Sequence, residues 1–278
     1  MKKSFDELSY EVSKATTQKY STSFSWGILA LHHSVRDAIY AVYGYVRLAD
    51  EIVDSFHNYN KPELLAQFKN QTAQALHEGI SLNPILHAFQ QTVHAYNIDR
   101  NLIQQFLHSM EMDLSPLDYD TDLYREYILG SAEVVGLMCL QIFVEGNKES
   151  YESLKLYAQK LGSAFQKVNF LRDIKDDQQL LGRTYFPGME KGIFNTDIKT
   201  RIEKEIEAEF REALTGIRKL PRSSRFGVYL AYKYYLSLFR KIRNTAAEKI
   251  MDQRVRIHNG QKLSLMMRSF VEYKMALL

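Results

Sequence analysis

The chain is short of the residues that staple and turn a fold. Cys139 is its one cysteine in 278 residues, which excludes an intrachain disulfide and makes a reducing compartment the default. Five prolines and thirteen glycines are few for this length. A β-sandwich or barrel needs many turns, so the shortage favours long helices. No run approaches the roughly 20 apolar residues needed to cross a bilayer. The opening "MKKSFDELSYEVSKATTQKY" is polar and lacks the apolar centre of a signal peptide, so the expected location is cytoplasmic. A formal charge of +3 is too small to imply a nucleic-acid partner, and none is expected. The eight histidines form no zinc-ligand pattern.

What is present is helical periodicity. From Ser34 to Ser55, Ala38, Ile39, Val42, Val46, Ala49 and Val53 recur at steps of three and four. Breaks fall at "HNYNKPE", "ISLNP", "SPLDYDTD", "EGNKES", "GRTYFPGMEKG" and "KLPRSSRFG". One all-α domain over residues 1–278 is expected, without a linker or repeat. Gly44, Gly136 and Gly162 interrupt helical patterns, each costing about 1 kcal/mol relative to Ala. Close helix packing or room along a cavity would each explain them. The C-terminal "KLSLMMRSFVEYKMALL" mixes Met, Leu and Phe with Lys and Arg. It suits a packed terminal helix or peripheral contact with the inner face of a membrane.

Two polar rows sit on helices otherwise fit for a core. In "RLADEIVD", Arg47, Asp50 and Asp54 share one helix face, with Glu51 adjacent. Taken alone, that row is most simply a solvated acidic stripe with Arg47 as its ion-pair partner. Asp118 and Asp122 in "DYDTD" have the same spacing in a polar stretch read as a loop, which shows how cheap the pattern is. In "LGSAFQKVNFLRDIKDD", Asn169, Asp173 and Asp177 form an i, i+4, i+8 row, with Gln166 a turn earlier and Arg172 close by. Two such rows are harder to dismiss than one. Oxygen ligands without His or Cys favour Mg²⁺, which takes one or two carboxylates and fills its shell with water and substrate phosphate. Arg47 and Arg172 would add bidentate phosphate contacts.

Four stretches then carry a resemblance. "YSTSFSWGIL", "AIYAVYGYVRLADEIVD", "GSAEVVGLM" and "LGSAFQKVNFLRDIKDDQQLLGRTYFP" resemble, in that order, the squalene/phytoene synthase family of head-to-head prenyl transferases. The specific signature is Q-x-x-N-x-x-R-D-x-x-x-D followed by G-R-x-Y-x-P; "QRVRIHNGQKL" is similar to the family's ending. Where the family usually has two adjacent acids before I-V-D, this chain has Asp50 and Glu51, with the spacing to Asp54 intact.

The resemblance implies a class I isoprenoid synthase-type helical bundle, with the two aspartate motifs facing each other at the mouth of a central cavity. Asp50, Asp54, Asp173 and Asp177 would bind diphosphate through Mg²⁺, or Mn²⁺ in its place, with Asn169 assisting. Arg47, Gln166 and Arg172 match positions near the diphosphates. Ser21, Ser23 and Tyr43 match positions around the headgroups, where helix capping and core packing are the plainer alternatives. Tyr235 and Arg254 match across a small length change.

The implied reaction joins two prenyl diphosphates through a cyclopropylcarbinyl diphosphate and releases diphosphate. The wording of the motifs is nearer the carotenoid branch, which implies phytoene from two C20 geranylgeranyl diphosphates. The alternative is a C30 dehydrosqualene or squalene product from two C15 farnesyl diphosphates, and NADPH is expected only for squalene. Ile28 and Tyr40 are candidates for the cavity floor. A non-catalytic scaffold relative would typically lack the aspartates. A terpene cyclase would carry a different second motif.

Overall fold

The computed structural model describes residues 2–114, 119–179, 182–189 and 194–275. Among them are thirteen α-helices, one π-helical turn and no strand. The chain opens with α1 (Lys2–Tyr20), α2 (Thr22–Leu29) and α3 (His33–Asp54). Three helices then cover one side: α4 (Lys61–Glu78), α5 (Pro84–Tyr96) and α6 (Arg100–Met112). Next come α7 (Thr121–Ile128), the π turn Leu129–Glu133, α8 (Val134–Phe143) and the long α9 (Lys148–Gln179). The chain closes with α10 (Thr196–Lys219), α11 (Arg222–Arg243), the short α12 (Ala247–Asp252) and α13 (Asn259–Lys274).

Helix boundaries follow local chemistry. Ser21, Asn60, Asn83, Asp99, Asp120 and Asn195 each cap a helix by accepting a backbone N–H. Gly79 and Asn97 end α4 and α5 in the left-handed region, at φ 72° and 51°. The acids of "DYDTD" are partly explained this way. Asp120 caps α7, and Asp122 lies in its first turn, where the helix dipole favours negative charge. Asp118 lies outside the described residues.

Helix α3 is the axis of the bundle. Its Tyr45 is fully buried and stacks on Phe89 of α5 with centroids 3.8 Å apart. On another face α1 approaches closely through Ser9, Ser13 and Thr17, whose hydroxyls donate to carbonyls one turn earlier. A Cβ on Gly44 would lie 3.1 Å from that of Ser13, so this glycine serves helix packing. Gly136 and Gly162 serve both purposes. They line the cavity, and a Cβ on Gly136 would press the Ala158 carbonyl of α9 at 2.9 Å, while one on Gly162 would press the Ala132 carbonyl of the π turn at 2.6 Å.

One expectation needs correction. The continuous helical stretch Thr121–Phe143 is long and apolar enough to cross a bilayer by length and composition. Half of its apolar window is buried inside the bundle, where Val134, Leu137, Met138 and Leu140 pack into the core. The residue run was broken by Glu126 and Glu133, so no uninterrupted apolar segment was visible.

Candidate active site

Helices α2, α3, α8, α9, α10 and α11 enclose a cavity of about 550 Å³. Asp50 and Asp54 of α3 and Asp173 and Asp177 of α9 all line it. Burial pushes the Asp50 carboxyl up to about 8, and Asp54 one turn on adds like-charge repulsion. Asp177 also rises to about 8, through burial first, then Asp173 and, from the opposite helix, Asp54. The two rows therefore share one mouth.

Cations are interleaved with these acids. Arg172 donates to Asp173 from Nε at 2.9 Å, and Arg254 reaches the same carboxylate at 2.7 Å. Arg47 pairs with Glu51, and its guanidinium lies 4.3 Å from the Tyr20 ring centroid. So Glu51 neutralises Arg47 and is not part of the cavity wall. The Arg47 Nε is buried without a hydrogen-bond partner, a donor left over at the cavity edge. Asn169 accepts from the Tyr235 hydroxyl at 3.3 Å, and Gln166 lines the cavity one turn away. Burial holds the Tyr43 phenol up at about 12, so it remains a neutral hydroxyl at pH 7.

The structure adds a buried anchor that residue patterns did not single out. Arg183 donates to Asp54 at 2.8 Å and to the Asp113 carbonyl at 2.7 Å. Asp113 accepts from the Tyr127 hydroxyl at 2.7 Å and from Tyr185 at 3.1 Å. Burial opposes the charge on Arg183, but Asp113, Tyr185 and Asp54 outweigh it and hold the guanidinium above the usual arginine range. Burial lifts Asp113 to about 6. Arg183 and Tyr185 belong to the quoted G-R-x-Y-x-P signature, whose spacing alone carries no partner for them. Asp113 lies in "EMDL" and had no pattern at all.

Below the mouth the walls turn apolar, and the helical register decides which residues face inward. On α3 the inward row is Ile39, Val42, Tyr43 and Val46. Tyr40 falls outside it and is enclosed in the core at 1% exposure, so it is not part of the floor. Ile28 does line the cavity. On α2, Ser21, Phe24, Gly27 and Ile28 face inward. Ser23 lies off that row and does not line the cavity, whereas Ser21 both lines it and caps α2 through the Phe24 N–H at 3.2 Å.

The comparisons with known proteins point the same way. The squalene/phytoene synthase profile matches residues 17–191. The chain belongs to the squalene/phytoene synthase family. Phytoene synthase 1, chloroplastic, of Solanum lycopersicum is 31% identical over 246 residues, 81% of this chain. The match spans 58% of that relative's length. The 4,4'-diapophytoene synthase of Staphylococcus haemolyticus is 27% identical, over 72% of this chain and 69% of the relative. A crystal structure of a dehydrosqualene synthase in complex with ligand superposes with a TM-score of 0.84 at 20% identity, over 97% of this chain and 98% of that one. It shows that the two share the all-α isoprenoid synthase fold.

Members of the squalene/phytoene synthase family are generally dependent on a divalent metal. The donors here fit a hard cation. Among the described residues, no three His, Cys, Asp or Glu side chains converge as a ready-made cage. Mg²⁺ takes one or two carboxylates and completes its shell with water and phosphate oxygens, a donor set that the cavity's aspartates could supply. Arg183 on Asp54, and Arg172 and Arg254 on Asp173, meanwhile keep the acids compensated.

Proposed function

We propose that the protein is a Mg²⁺-dependent prenyltransferase joining two C20 geranylgeranyl diphosphates head to head to give phytoene. One observation carries this reading: the aspartates of α3 and α9, with Arg47, Arg172 and Arg183, line one cavity whose remaining lining is largely apolar and aromatic. Asp50, Asp54, Asp173 and Asp177, with Asn169, would hold Mg²⁺. The metal would supply electrostatic stabilisation of the departing diphosphate.

The chain's own residues supply the rest. Arg47 and Arg172 orient the diphosphates; the unpartnered Arg47 Nε supports that role. Loss of the first diphosphate leaves an allyl cation at C1. The C2–C3 double bond of the second molecule attacks it, and loss of a proton closes a cyclopropylcarbinyl diphosphate. Loss of the second diphosphate opens and rearranges that ring, and a second proton leaves to form the central triene. Two substrates thus give one hydrocarbon, two diphosphates and two protons. Phe24, Val46, Phe165 and Leu161 line the channel and exclude water that would quench the cations.

Channel length supports the C20 substrate. Within the cavity-lining residues of α9, Asp173 and Tyr157 are sixteen residues or about 24 Å apart. A five-carbon unit extends through four bonds of roughly 1.5 Å and reaches about 5 Å. Four units nearly fill that length; three leave space.

The deciding assay offers purified protein and Mg²⁺ either farnesyl or geranylgeranyl diphosphate, with and without NADPH. Phytoene from the C20 substrate, indifferent to NADPH, is expected. A C30 hydrocarbon alone would overturn the C20 assignment. Asp50→Ala and Asp173→Ala should each lower turnover at least about 100-fold with unchanged helicity; near-normal rates would refute the metal-site assignment.

The same reading places the enzyme against a membrane that receives its product. On α13, Leu263, Met267, Phe270, Val271 and Met275 are exposed along one stripe beside Lys274. Residues 276–278 of this segment lie outside the described residues. Co-sedimentation with anionic vesicles is expected, and Met267→Glu with Val271→Glu should abolish it. Equal pelleting of that variant would remove α13 from the contact.

A further inference from the structure

The α9 lining of the cavity ends in two residues, Tyr157 and Leu154. The inward face of α9 passes from Asp173 through Phe165, Leu161 and Ala158 to Tyr157 and finally Leu154. Leu154 is 3% exposed and belongs to the core. Tyr157 is different, because it lines the cavity and is also partly exposed. Its ring carries the Lys219 ammonium 5.2 Å from its centroid, at the last residue of α10. Tyr157 therefore has the cavity on one side and the exposed Lys219 on the other.

Gly216 explains how the ring comes to stand there. It lines the same end of the cavity, and a Cβ built on it would lie 2.2 Å from the Tyr157 Cβ and 2.7 Å from Cγ. No side chain fits at position 216 while Tyr157 keeps its place. The missing Cβ lets α9 and α10 approach and seats the base of Tyr157 directly on the α10 backbone. That fixes the ring's position. A flexible end wall would give way to a longer chain.

We propose that Tyr157, seated on Gly216, is the end-stop that limits how long a prenyl chain the channel accepts. This rests on the prenyl diphosphate reading of the site. Measured from Asp173, Tyr157 lies about 24 Å along α9, whereas Leu161 lies about 18 Å. With about 4 Å of metal coordination between carboxylate and phosphate oxygens, an extended C20 tail ends at the Tyr157 ring. A C15 tail ends one unit short, beside Leu161. A C25 tail runs into the ring. Removing the ring opens the channel toward Lys219 and solvent, so the effect is confined to chains that reach that far.

The test reads binding and turnover separately. Wild type, Tyr157→Ala and Tyr157→Phe are titrated with Mg²⁺ and unreactive thiodiphosphate analogues of C15, C20 and C25 chains, and assayed with the corresponding diphosphates. Wild type and Tyr157→Phe should favour C20 over C25 by about tenfold or more, the size of effect a hydrophobic pocket exerts through steric fit. Tyr157→Ala should bring the C25:C20 ratio near one in both affinity and kcat/KM, with the C15:C20 ratio unchanged. Tyr157→Val serves as a second small side chain should the alanine variant melt early. An unchanged C25:C20 ratio in the small variants would overturn the end-stop, as would equal loss at all three lengths. No binding of any analogue to wild type would instead refute the prenyl diphosphate reading itself, and the end-stop with it.

Discussion

At the scale of single residues, the chemistry of the mouth depends on pairing charges that could not stand alone. Asp113 is 3% exposed at its side chain, and Arg183 is 7% exposed. Truncating one member of a buried pair leaves an uncompensated charge, typically costing 3–5 kcal/mol. Arg183→Met is therefore expected to lower unfolding stability by about 3 kcal/mol or more in urea titration. Adding Asp113→Asn should return part of that loss, because the stranded carboxylate is gone. An Arg183→Met variant as stable as wild type would show that the pair is replaceable by packing. The same residues mark the limit of sequence reading. That Asp50, Asp54, Asp173 and Asp177 line one cavity was legible because helical spacing places like charges on one face, and two such rows on core helices are an oddity. Arg183 with Asp113 was not, because the partners are 70 residues apart and neither spacing nor composition reports a pair made across the fold. Ser23 and Tyr40 lie outside the cavity lining for another reason: each is one residue off an inward row, and register could not be set before the neighbouring helices were placed.

At the scale of elements, the cavity exists because helices approach closely at some points and are held apart at others. The α8–α9 contact passes over Gly136 and Gly162, and a Cβ on Gly162 would stand 2.6 Å from the Ala132 carbonyl oxygen. Ala132 belongs to the π turn Leu129–Glu133, which itself lines the cavity through Ser131 and Ala132. Such turns occur often at functional sites. Here the turn brings a backbone carbonyl onto the spot a side chain would need. Backbone cannot move aside as a flexible side chain can, so Gly162→Ala should cost about 1–3 kcal/mol through overpacking. Gly44→Ala meets only Ser13, at 3.1 Å, and should cost less. Thermal unfolding of the two variants decides the order; a reversed ranking would mean that α8 and α9 separate more easily than α1 and α3. All-α architecture was visible from periodicity and from the shortage of proline and glycine. The π turn was not, since "LGSAE" has no signal distinguishing an extra residue per turn from an ordinary helix.

At the scale of the whole molecule, Asp50 and Asp177 make stability a function of pH. Asp50 and Asp177 titrate near 3.8 as ordinary aspartates and near 8 in the folded, metal-free protein. Between those values the folded state holds more protons than the unfolded chain, so stability falls as pH rises. The contribution is complete below about 4 and lost once pH passes about 8. The metal-free protein should therefore melt at a lower temperature at pH 8.5 than at pH 6, and Asp50→Asn with Asp177→Asn should flatten that slope. Mg²⁺ acts in the opposite direction. Its ligands must be ionised, so binding at pH 7 should release protons and tighten as pH rises toward about 8. On the proposed reading Mg²⁺ binds the folded chain alone, so it should raise the melting temperature most at the alkaline end. Calorimetry in two buffers of different ionisation heat counts the released protons. No proton release at pH 7, or a metal-free melting temperature that climbs steadily to pH 8.5, would mean that the aspartates are already ionised. The mouth would then be held by its arginines alone.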